Sequence, residues 1–210
     1  MSKQGILTVV SGFSGAGKGT LMKALLKKYD YGLSISATTR APRVGEEHGR
    51  EYFFLTRERF ESMIEQGELI EWAEYVGNYY GTPKKYVEDQ LNAGKDVILE
   101  IEVQGAFHVR ELFPDALLLF ITPPNAMELK NRLVNRGTES LDKIEQRLSR
   151  ATEEAIYMKD YDYIVVNDDL DECVERLNEI IENEHSRTLR SHNFIEKMND
   201  ELKAFKKGDH

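Results

Sequence analysis

Four short runs of the chain are apolar with little interruption. They are Ile6-Leu7-Thr8-Val9-Val10, Asp96 to Ile101 around Val97-Ile98-Leu99, Ala116 to Ile121, and Tyr163-Ile164-Val165-Val166. Runs of this length predict strands buried on both faces, because a half-exposed strand would alternate apolar with polar residues. Helical periodicities lie between them. Leu21 and Leu25 repeat at helical spacing after the first run. Leu170, Val174, Leu177 and Ile181 form a stripe near the end, and Ile195, Met198, Leu202 and Phe205 form a second. Strands alternating with helices predict an α/β fold, a parallel sheet with helices on both faces.

Two segments break this rhythm. Residues 34–94 are rich in Gly, Tyr, Thr and Arg with short apolar runs, and read as an inserted subdomain of mixed structure. Residues 123–159 are strongly charged and helical, interrupted at Arg136-Gly137-Thr138, and read as a solvated helix pair. The core of a single domain is then expected from 1–33, 95–122 and 160–210.

Composition narrows the classes. Of 210 residues, 28 are Lys or Arg and 37 are Asp or Glu, a net charge of −9. A chain this acidic is a poor general binder of nucleic acid or anionic membrane, so any phosphate it holds needs a local basic pocket. Its one cysteine, Cys173, excludes an internal disulfide. No apolar run approaches membrane length, and Ile6 to Val10 is too short for a signal-peptide core, so a cytoplasmic protein is expected.

The strongest local signal is Gly12-Phe13-Ser14-Gly15-Ala16-Gly17-Lys18-Gly19-Thr20. It follows a predicted strand and opens a predicted helix. Glycines let successive backbone N–H groups converge on an anion, and the helix adds its positive end. Lys18 supplies a mobile charge for β- and γ-phosphates. The usual pattern places Ser or Thr directly after this lysine. Here Gly19 stands there and the hydroxyl comes at Thr20, which weakens the case for direct magnesium ligation and leaves the metal mainly to phosphates and water. The cradle alone specifies a nucleoside triphosphate, not a reaction.

A second constellation starts at Ser36-Ala37-Thr38-Thr39-Arg40-Ala41-Pro42-Arg43 and continues through Tyr52, Glu71-Trp72 and Gly77-Asn78-Tyr79-Tyr80-Gly81-Thr82. Two arginines three apart around a proline can converge on one anion, and their forks match phosphate oxygens. Taken singly, each residue reads equally well as part of a charged, glycine-punctuated loop.

Together with the cradle, Leu99-Glu100-Ile101-Glu102-Val103-Gln104-Gly105 and Val166-Asn167-Asp168-Asp169, these segments closely resemble the guanylate kinase family, whose Thr-Thr-Arg-x-Pro-Arg and Gly-Asn-Tyr-Tyr-Gly-Thr runs are specific. The resemblance spans almost the whole chain. It implies a P-loop kinase core, a GMP-binding insertion, a mobile helical lid, and transfer of a phosphoryl group from ATP to GMP with Mg²⁺. By this resemblance Arg40, Arg43, Tyr52 and Tyr80 grip the GMP phosphate, and Ser36, Glu71, Thr82 and Glu102 read the guanine. Thr82 stands for a common serine and Glu102 for a common aspartate, one carbon shorter. Arg132, Arg136, Arg147 and Arg150 become lid arginines, with Arg136 and Arg147 catalytic beside Lys18, and Asn167 helps hold adenine. Without the family the arginine-rich segment would read as a solvated face. Glu100 is a candidate to orient magnesium's water.

The chemistry agrees. Guanine shows donors at N1 and its 2-amino group and an acceptor at O6, so a carboxylate and a hydroxyl complement it. The acceptor phosphate, with a second pKa near ~6, needs no general base. None of the five histidines has ligand spacing, and all are expected to be surface or structural. A peptide-binding relative without catalysis would be expected to lack Lys18 or the lid arginines. A kinase for another acceptor would lack the guanine set. The second C-terminal stripe predicts a contact, either with its own core or, as favoured here, with a second subunit.

Overall fold

The computed structural model describes residues 4–75, 77–135 and 141–206. In chain order the first elements are β1 (Leu7–Gly12), α1 (Lys18–Lys28), β2 (Gly32–Leu33), β3 (Ala37–Thr38), β4 (Phe53–Phe54) and α2 (Arg57–Glu65). Next come β5 (Leu69–Tyr75), β6 (Asn78–Pro83), α3 (Lys84–Asn92), β7 (Val97–Glu100), α4 (Val103–Leu112) and β8 (Leu117–Thr122). The last are α5 (Ala126–Asn135), α6 (Leu141–Ala155), β9 (Tyr163–Val166), α7 (Leu170–Glu184) and α8 (His192–Lys206).

The strands form two sheets. The larger is wholly parallel, ordered β2-β7-β1-β8-β9, and is flanked by helices. Its central strands are the predicted apolar runs, and Val9, Val10, Ile98 and Leu118 to Ile121 are fully buried. The order reverses on either side of β1, and in such sheets ligands collect at the carboxyl ends of the strands beside the reversal. The smaller sheet, β4-β3-β6-β5, is mixed and carries its own small core of Ala37, Phe60, Met63 and Leu69. The helix α3, which follows it, turns Val87 and Leu91 into the main core instead.

Three expectations change. The run from Tyr163 to Val166 is not buried on both faces. As β9 it forms the sheet edge, where Val165 is buried while Ile164 is 52% exposed. An edge strand has a neighbour on one side only, so its outer face keeps contact with solvent. The charged helix pair is not simply solvated. Leu129 and Leu133 of α5 and Ile144 and Ala151 of α6 join the main core. Finally, the two C-terminal stripes part company. Val174, Leu177 and Ile181 of α7 are buried, whereas along α8 Leu202 is 53% and Phe205 83% exposed. Among the described residues, no helix is long and apolar enough to cross a membrane.

Candidate active site

The cradle sits where β1 ends. Gly12 has φ 147°, and a Cβ there would lie 2.1 Å from the Ile121 carbonyl oxygen of the neighbouring strand, so only glycine fits. Gly17, at φ 89°, caps α1 with no side-chain cap and no acidic residue in the first turn. The amino end of α1 is thus left to an anion. Phe13 turns its ring into the core, edge-on to Phe120 at 4.9 Å, and Ala16 is fully buried, so both serve the loop through their backbone. Lys18 folds over this loop, its Nζ donating to the carbonyls of Gly12 at 2.6 Å and Phe13 at 3.2 Å. Gly19 and Thr20 are exposed at its rim.

Side chains from distant segments brace the cradle. The Asn167 amide donates to the Ala16 carbonyl at 2.8 Å in a buried contact. Arg132 in turn donates to the Asn167 carbonyl at 2.9 Å and to Glu128 at 2.7 Å. Arg147 donates to the Ser14 hydroxyl. Helices α5 and α6 therefore rest on the glycine loop. Leu133 and Leu129 pack where a Cβ on Gly15 would fall. Arg136 lies outside the described residues.

The second site is a cavity of about 610 Å³ between the small sheet and the carboxyl end of β7. Ser36, Tyr52, Glu71, Tyr80 and Glu102 line it together, with Trp72, Glu100, His108 and Arg150. The buried Thr82 hydroxyl donates to Glu71 at 2.7 Å, so its proton is directed at the carboxylate. Burial pushes the Glu71 carboxyl above its usual range, opposed by that hydrogen bond and by the charge of His108. Arg40 lies over the Tyr52 ring at 5.5 Å and is held by Glu46 through two bonds of 3.0 and 2.9 Å. The Arg43 backbone N–H also donates to Glu46 at 2.7 Å. Glu46 consequently stays below the usual carboxylate range, first because of the Arg43 N–H; burial opposes this, and the hydrogen bond and charge of Arg40 add to the lowering. Arg40, Arg43 and Thr82 are not among the residues that line the cavity.

Glu100 ends β7 opposite Val10 of β1. Burial raises its carboxyl, the Lys18 charge opposes this, and Glu102 adds to it. A larger cavity of about 740 Å³ lies toward the other end of the sheet among Gln4, His185, Arg190 and Phe194, and it holds none of the candidate residues.

Three residues escaped the sequence reading. Glu46 has no local signature, since its partner Arg40 is six residues away in a loop. Glu154 bonds Arg150 at 3.0 Å from the end of α6. His108 is a surface residue, as expected of the histidines, and it also lines the cavity. Reading α4 with a helical period would have put His108 on one face with Gln104, four residues earlier.

A glycine cradle between the first strand of a parallel sheet and the helix that follows it, with a second polar cavity alongside, defines a P-loop nucleotide kinase. Comparison with known proteins narrows the class. The family profile described as guanylate kinase matches residues 4–184. A guanylate kinase of Shouchella clausii is 53% identical over 191 residues, covering 90% of this chain and 92% of its own. One from Streptococcus mutans is 52% identical over 205 residues, covering 96% and 98%. The crystal structure of guanylate kinase from Anaplasma phagocytophilum superposes with a TM-score of 0.69 at 35% identity, covering 90% of each chain. The chain belongs to the guanylate kinase family.

Proposed function

We infer that this protein is an ATP:GMP phosphotransferase in which the glycine cradle holds the donor and the cavity beside the small sheet holds the acceptor. The activity follows from its family: ATP-dependent phosphorylation of GMP to GDP. The observation that carries the assignment of the acceptor cavity is Glu71, a half-buried carboxylate in the cavity wall that accepts a hydrogen bond from the buried Thr82 hydroxyl. Guanine offers two adjacent donors to such a group. Adenine has an acceptor at N1 and no 2-amino group, and would leave the carboxylate unpaired. Sites built on polar pairing discriminate by up to ~10⁴ or more.

The remaining roles are those the family resemblance implies. Arg40, aimed by Glu46, and Arg43, with Tyr52 and Tyr80, would receive the acceptor phosphate. Ser36 and Glu102 would complete the base contact. Lys18 and the cradle N–H groups of Gly12 to Thr20 would hold the donor phosphates, and Asn167 would shape the donor end. Arg132, Arg136 and Arg147 on the lid would offset the charge that builds as two polyanions meet in line. Among the described residues no three His, Cys, Asp or Glu side chains form a metal cage. Magnesium would be carried in with ATP, keep much of its water shell and supply charge neutralisation. Glu100, beside Lys18, is the carboxylate suited to orient that water.

A cytoplasmic location goes with these substrates. The exposed stripe on α8 supports association with a second copy, because single surface apolar residues are common but a row along one helix face is not. Light scattering of the full chain against Leu202→Glu tests this. A dimer mass that halves in the variant is expected, and a monomer mass for the unaltered chain overturns it. For the activity, a coupled assay with GMP, AMP, CMP and UMP should show turnover dominated by GMP. Equal rates with AMP would overturn the acceptor assignment.

A further inference from the structure

Arg150 was expected to be a lid arginine, yet it stands in the wall of the acceptor cavity. Its guanidinium joins two carboxylates from different elements. Nε donates to Glu154 at 3.0 Å, and Nη2 donates to Glu102 at 2.8 Å. These two N–H groups lie on one edge of a rigid planar fork, which sets the two carboxylates side by side. The partners differ in kind. The Glu154 side chain is 11% exposed and sits one helical turn beyond Arg150 on α6, so it anchors the guanidinium. The Glu102 side chain is 71% exposed. It occupies the position before α4 without capping that helix. The bond from Arg150 is therefore what decides where Glu102 points.

We propose that Arg150 is a positioning residue for acceptor recognition: anchored by Glu154, it holds the Glu102 carboxylate against the cavity that receives the base. An ion pair this exposed adds little to stability, so its effect lies in orientation. Electrostatics give the same answer. Burial raises the Glu154 carboxyl, the Glu102 charge raises it further, and Arg150 and Lys18 oppose both. Two neighbouring carboxylates stay together because a cation lies between them. Without it, repulsion drives the mobile one, Glu102, outward into solvent. This inference rests on the reading that Glu102 faces the base.

The test is steady-state kinetics at saturating ATP for the full chain, Arg150→Met, Glu102→Gln and the double variant. Arg150→Met should raise KM for GMP about tenfold, the loss of one charge-assisted hydrogen bond, with a smaller change in kcat. In the Glu102→Gln background the same substitution should add no more than about twofold, since residues acting through one contact are not additive. Arg150→Lys should recover only part of the loss, because an ammonium lacks the planar fork. If Arg150→Met lowers kcat with KM intact, and does so equally in both backgrounds, Arg150 is a phosphate clamp; the proposal then fails while the base reading stands. If Glu102→Gln itself leaves KM for GMP unchanged, Glu102 does not read the base and both readings fail together.

Discussion

The proposed donor and acceptor sites of this protein are built in opposite ways. The donor cradle is backbone. Its side chains, Phe13 and Ala16, are sunk in the core around five parallel strands, and what the loop leaves for an anion is glycine backbone and the uncapped end of α1. The acceptor cavity is made of side chains. It hangs on a four-stranded sheet whose β3 and β4 have two residues each, over a cluster of four buried residues. Its geometry comes from pairs such as Thr82 with Glu71 and Glu46 with Arg40. A backbone site inherits the rigidity of the sheet. A side-chain site must be aimed group by group, and it is the more easily retuned.

The contrast can be attacked from its weaker side first. Phe60 is fully buried in the small cluster and stacks on Tyr79 at 5.3 Å. Phe60→Ala should cost about 3–5 kcal/mol. Native-state hydrogen exchange should show lost protection in β3, β5 and β6 while β1 and β8 amides keep theirs. Uniform loss across both sheets would mean that they open as one unit and would erase the distinction.

The next effect falls on the donor side. Lys18→Met removes the mobile charge from the cradle and should lower kcat on the order of 10²- to 10³-fold, the scale for one preorganised charge-stabilising donor. Titration of GMP on the variant, followed by Trp72 fluorescence, should give nearly unaltered affinity, since Trp72 lines the acceptor cavity and is half-exposed. Near-normal turnover would remove Lys18 from the mechanism.

Glu71→Gln tests the acceptor side. Replacing one acceptor atom by an NH₂ opposes donor to donor and should weaken GMP by about 2–4 kcal/mol, roughly 30- to 1,000-fold, with no effect on ATP. Discrimination against AMP should shrink, because Gln can pair with adenine N1. An unchanged GMP-to-AMP preference would show that Glu71 does not read the base.

The same substitution carries a smaller, opposite effect on stability. Burial holds the Glu71 carboxyl above its usual range. A carboxyl raised in the folded state costs nothing at pH below the unfolded value, where both states are protonated, and costs stability as pH rises through the folded value. Glu71→Gln should therefore melt higher than the unaltered protein at neutral pH, and the gap should close below about pH 4. A lower melting temperature at neutral pH would mean that the bond from Thr82 outweighs the burial of the charge.

The division between what was legible in the sequence and what was not follows the division between the sites. Buried parallel strands are continuous apolar runs, so β1, β7 and β8 could be read directly. The cradle could be read because its function resides in backbone freedom, and glycine is the one residue that announces it, as at Gly12 and Gly17. The run from Tyr163 to Val166 looks the same whether central or at the edge, since neighbours and not composition decide which strand is outermost. Likewise α7 and α8 carry similar stripes, yet the first is buried and the second exposed, because only packing determines which stripe finds a surface. The residue types of the acceptor site were visible by resemblance, but their partners were not. Glu46 reaches Arg40 across a loop, and Arg150 reaches Glu102 across 48 positions. Periodicity encodes contacts within a helix or strand. Contacts between elements depend on how those elements pack, and that is settled only when the chain has folded.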